Sequence, residues 1–72
     1  MSGFAITDME AVTTGEVEVV VEEKAGLWRY KYIVQEPGGP RVVGCSPNVY
    51  AARDIALGGG RSLLNHLRKA AA

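Results

Sequence analysis

A chain of 72 residues has room for one hydrophobic core, which excludes a multidomain enzyme. Hydrophobic residues make up 47% and charged residues 22%, an ordinary globular balance that excludes disordered and collagen-like chains. Eight Lys and Arg cancel eight Asp and Glu, so overall charge alone excludes a strongly basic nucleic-acid binder.

The distribution of charge is uneven. Residues 1–23 carry six acids and no base, while residues 24–72 carry all eight bases against Glu36 and Asp54. Acidic and basic strands lying side by side would cancel most of this asymmetry. Cys45 is the only cysteine and His66 the only histidine, so an internal disulfide and a four-ligand zinc site are both out of reach. No cofactor and no metal are expected. No run approaches the roughly 18 apolar residues of a membrane span, and the N-terminal residues lack the basic and apolar regions of a signal peptide. These features predict a cytoplasmic protein with no membrane partner.

In chain order, residues 1–14 form an arm in which Phe4, Ala5 and Ile6 precede Thr7-Asp8-Met9-Glu10. That spacing matches a capping box and predicts one turn of helix, with an extended arm packed on the sheet as the alternative. From Gly15 the period changes to two. Val17, Val19 and Val21 point one way, and Glu16, Glu18 and Glu22 the other. A second alternating run sets Trp28, Tyr30, Tyr32 and Val34 against Arg29, Lys31 and Gln35. Joined by Glu23-Lys24-Ala25-Gly26, the two runs predict an antiparallel hairpin with valines meeting aromatics. Pro37-Gly38-Gly39-Pro40 turns the chain into a third strand, Arg41-Val42-Val43-Gly44-Cys45. Val43 and Cys45 are expected on the core face. Val20, Leu27, Ile33 and Val42 fall on the outer face, an apolar set that a solvated sheet surface does not usually carry.

Ser46-Pro47 has the form of a helix start, with serine capping and proline at the first helical position. A helix is expected over 47–70, its stripe formed by Val49, Ala52, Ala56, Leu63 and Leu67. Gly58-Gly59-Gly60 costs such a helix roughly 3 kcal/mol relative to alanine, so the run marks either a break or a bare surface where backbones pack closely. The stripe keeps its phase across the glycines, which favours one helix.

Few residues are suited to chemistry. Gly58-Gly59-Gly60-Arg61-Ser62 departs from both phosphate-loop and dinucleotide-binding patterns, so a packing or hinge role is the expectation. Cys45 beside a helix start would have a stabilised thiolate, but a straight helix holds His66 about 28 Å from Pro47, and no base is at hand. Arg53, Arg61 and Arg68 form a basic helix edge within about 80°, which with Lys69 beside it is a candidate for weak, salt-sensitive nucleic-acid binding.

The order of short helix, three strands and long helix resembles the double-stranded-RNA-binding domain, with Gly44-Cys45-Ser46 at the turn into the last helix and Ala51-Ala52 just after. Pro47 and Asn48 stand where that family places lysines, so the resemblance implies element order and no RNA-gripping residue.

Together these features predict a single α+β domain over residues 1–72: an arm (1–14), a three-stranded antiparallel meander (15–46) and one long helix (47–70) on its aromatic face. The expected function is a stand-alone, non-enzymatic interaction module. Val20, Leu27, Arg29, Lys31, Ile33 and Val42 would bind a partner protein or a second copy of the chain. No small-molecule substrate is implied.

Overall fold

The structure is a computed structural model, and it describes residues 5–71; Phe4, at the head of the apolar run, lies outside them. The elements are β1 (Ala5–Ile6), α1 (Met9–Thr14), β2 (Val17–Lys24), β3 (Leu27–Glu36), β4 (Gly39–Cys45) and α2 (Arg53–Ala71). The three long strands form the antiparallel meander that the sequence predicts, and α2 lies across it. β1 adds two residues beside β4, giving the sheet order β1-β4-β3-β2.

The arm contains both the extended piece and the helix that the sequence left as alternatives. Ala5 and Ile6 pair with Cys45 and Gly44, and α1 follows. Its cap is Asp8, one residue beyond the threonine of the predicted box: Asp8 Oδ1 accepts the Ala11 N–H at 3.1 Å. Thr7 is otherwise engaged, because its N–H and its hydroxyl both donate to the Val43 carbonyl.

The hairpin has the expected faces. Val17, Val19 and Val21 stand opposite Val34, Tyr32 and Tyr30. Tyr32 and Val43 are fully buried, joined by Tyr30, Leu64 of α2 and Val12 of α1 in one cluster. Trp28 falls on this face opposite Glu23 but remains half-buried at the sheet's end, outside that cluster. The turn is Ala25-Gly26, both residues at positive φ, the type I′ geometry whose twist suits a two-residue hairpin.

The last strand departs from expectation at a bulge. Tyr32 pairs with Gly44 but Ile33 pairs with Val42, so Val43 is an extra residue, and it and Gly44 both face the core. A bulge shifts every later side chain to the other face. Cys45 therefore lies opposite Lys31 on the outer face, not in the core.

Nor does Ser46-Pro47 begin the helix. Ser46 continues the sheet, its N–H donating to Tyr30 O at 2.9 Å, and Tyr50 pairs with Trp28 through two 2.7 Å hydrogen bonds. Pro47, Asn48 and Val49 loop out between these two pairings, and the Ser46 hydroxyl, instead of capping, donates to Asn48 O. The backbone groups that a helix would have used are satisfied by β3, so α2 begins six residues later. Val49 is consequently 57% exposed and leaves the predicted stripe.

α2 is continuous through its three glycines. Its buried positions are Ala56, Gly60 and Leu64, a four-residue spacing that lays one face on the sheet. Of the three, Gly60 is required by packing: a Cβ there would meet Val19 Cγ1 at 2.7 Å and Tyr30 Cγ at 2.8 Å. The bare backbone lets the helix settle onto the aromatic layer, where the Tyr32 hydroxyl donates to Gly60 O at 2.8 Å. Beside it, Tyr30 stacks on Tyr50 with centroids 6.2 Å apart.

Candidate functional site

Both helices occupy one side of the sheet. α1 packs against α2 and the end of β4, and its Val12 belongs to the same core as Leu64. The opposite face is left without a covering element among the described residues.

On that face the register sets out four rows. Val42, Ile33 and Glu18 share the first, then Cys45, Lys31 and Val20, then Arg29 and Glu22, and at the hairpin end Leu27 and Lys24. All six predicted contact residues, Val20, Leu27, Arg29, Lys31, Ile33 and Val42, thus lie on one surface. Leu27 is 45% and Val42 49% exposed, while Val20 and Ile33 are half-buried by their neighbours. Sequence reasoning missed two members: Cys45, which the bulge turns outward, and Val49, which the loop carries to Leu27. Gly44 within a strand is a recognisable sign of a bulge. Val49 had no such sign, since its position depends on the Trp28–Tyr50 pairing.

The apolar surface is divided by charge. Glu22 accepts Arg29 Nε at 2.6 Å on one carboxylate oxygen and Lys31 Nζ at 2.9 Å on the other. Both cations face one carboxylate, and the hydrogen bonds from Lys31 and Arg29 hold the Glu22 pKa below its ordinary value. Arg29 is correspondingly raised by its bond to Glu22. The triad separates a patch of Val20, Ile33, Val42 and Cys45 from a notch of about 300 Å³ lined by Leu27, Val49, Ala25, Lys24 and the Glu22–Arg29 pair. A cleft of that size admits one large apolar side chain, the anchoring contact common at protein interfaces.

The second predicted surface is only partly available. Arg53, Arg61 and Lys69 are exposed on α2, but Arg68 turns inward. Its Nη2 donates to Gly15 O at 2.9 Å and its Nε to Val12 O at 3.4 Å, supplying cation donors to the last carbonyls of α1. A larger cleft of about 760 Å³ lies beside it, lined by Thr13 to Glu18, Gln35 and Arg68. It contains no histidine or cysteine.

The residues considered for catalysis are kept apart. Cys45 is a free thiol on the outer face, eight residues before the start of α2 at Arg53 and so not at a helix terminus. His66 is exposed on α2, on the other side of the sheet. Among the described residues no group of three or more His, Cys, Asp or Glu is placed to hold a metal ion, and no helix is long and apolar enough to cross a membrane. Comparison with protein-family models, curated proteins and solved structures gave no match.

Proposed function

We propose that this chain is a non-enzymatic protein-interaction module that docks through the outer face of its sheet. One observation carries the reading: both helices lie on the aromatic side, leaving Val20, Leu27, Ile33 and Val42 with no covering element among the described residues. Ordinary monomers keep large apolar patches rare. The notch between Leu27 and Val49 would take an apolar anchor, and Glu22 compensates one of the two cations beside it, leaving a single net positive charge for a partner to meet on this face. A reducing, cytoplasmic compartment suits the unpaired Cys45.

Nucleic-acid binding through Arg53, Arg61, Arg68 and Lys69 has less support, because Arg68 is already committed to α1. The test compares wild type with Ile33→Glu by light scattering and by pulldown from native cell extract. Concentration-dependent mass, or a captured protein, that disappears in the variant at unchanged Tm supports the reading. A wild type that stays monomeric and whose captured proteins are all retained by Ile33→Glu removes it.

A further inference from the structure

We propose that β2 accepts an extended, lysine- or arginine-bearing segment of another protein as an additional strand at the sheet edge. Among the described residues β2 pairs only with β3, from Val17↔Val34 to Lys24↔Leu27. In the type I′ turn at Ala25-Gly26, the Lys24 carbonyl receives the Leu27 N–H. Hydrogen-bonded pairs alternate along an antiparallel ladder, so Lys24, Glu22, Val20 and Glu18 direct their backbone groups to β3. Val17, Val19, Val21 and Glu23 direct theirs outward. No turn, loop or side-chain hydrogen bond among the described residues reaches those groups.

A row of donors and acceptors recurring about every 7 Å is matched by another extended chain and by little else. The opposite edge of the sheet is closed by other means. β1 pairs with Gly44 and Cys45, Thr7 takes the Val43 carbonyl, and Pro40 has no N–H to offer. β2 has no proline and no bulge, two of the usual protections of a free edge.

Charge selects the occupant. Residues 16–24 carry four glutamates and one lysine, so two copies joined edge to edge would place two strongly acidic strands along one seam. Glu22 is neutralised by Arg29 and Lys31, and Glu23 accepts the Gly26 N–H. Glu16 and Glu18 are exposed with no ion pair among the described residues, and they would meet basic side chains of an added strand. This edge is distinct from the outer face, and the two readings fail separately.

The probe is a capped peptide of alternating threonine and lysine, added at about 1 mM to isotope-labelled protein at low salt, with amide exchange read by NMR. Exchange at Val17, Val19 and Val21 slows about tenfold while Val20, already bonded to β3, is unchanged. A threonine–glutamate peptide and a proline-interrupted basic peptide have no such effect, and roughly 0.5 M salt weakens the slowing. Glu16→Lys with Glu18→Lys, both surface changes whose folding is checked by Tm, transfers the effect to the acidic peptide. Ile33→Glu leaves it intact. No slowing, equal slowing by the proline-interrupted peptide, slowing centred on Ile33 and Val42, or slowing that grows with protein concentration without peptide would each overturn the proposal.

Discussion

Gly60 passes so close over Val19 that a methyl group on its Cα would come within 2.7 Å of the valine Cγ1. The same methyl would meet the Tyr30 ring at 2.8 Å, and neither neighbour is the loose end of a flexible chain. The glycine run is therefore not one feature but three different positions. Gly58 has open space where a Cβ would go, Gly59 has ordinary contact with Tyr50 and Tyr30, and only Gly60 is a true close approach.

Substitution separates them. Gly58→Ala gains helix propensity with no steric cost and should raise stability by about 1 kcal/mol. Gly60→Ala gains the same propensity but forces the helix off the tyrosine layer, with overpacking of about 1–3 kcal/mol. Urea unfolding of the two variants should move in opposite directions from wild type, and a stabilised Gly60→Ala would show that the helix does not rest on that residue.

Arg68 ties the two helices together through the carbonyls of Val12 and Gly15. Arg68→Met keeps much of the aliphatic stem and loses the donors, so a loss of about 1–2 kcal/mol is expected. Arg61→Met, on the exposed surface, should change stability by less than about 0.5 kcal/mol. Equal effects at both positions in thermal unfolding would mean that Arg68 is an ordinary surface cation.

Ala25 holds φ at 55°, a left-handed conformation that disfavours a Cβ. Asparagine followed by glycine is the preferred type I′ pair, and Gly26 already supplies the second member. Ala25→Asn should therefore stabilise the hairpin by about 0.5–1 kcal/mol, read as a higher urea midpoint at unchanged m. Ala25→Val, β-branched in the same conformation, should lower it.

Two carboxylates make stability fall in acid. The Ala11 N–H and then Arg41 hold Asp8 below its ordinary pKa, and Lys31 and Arg29 do the same for Glu22. A carboxylate with a depressed folded-state pKa contributes stability that is fully present above its unfolded value, near pH 4, and is lost as pH falls through the folded value. Tm should be flat above about pH 5 and decline below about pH 4. Glu22→Gln should make that decline shallower, whereas an unchanged acid limb would show that the triad does not stabilise the fold.

Much of the architecture was legible because alternation is a local property. Val17, Val19 and Val21, with Tyr30 and Tyr32, could be assigned to one face from a period of two, and the register agrees. The outer set of Val20, Leu27, Ile33 and Val42 followed from the same count. Cys45 and Val49 did not, since one extra residue at Val43 and a backbone pairing between Trp28 and Tyr50 redirected the side chains that came after. The Ser46-Pro47 signal was a sound local preference, but β3 offered the same backbone groups hydrogen bonds within the sheet.

The order of residues alone thus determined the strands, the core face and the continuous phase of α2, because periodicity and turn chemistry act between near neighbours. Tertiary structure alone decided where α2 begins, which face receives Cys45, that Arg68 serves α1, and that β2 is the end strand of the sheet formed by the described residues. Those outcomes depend on backbone groups far apart in the chain competing for the same partners, and no short window of sequence contains both competitors.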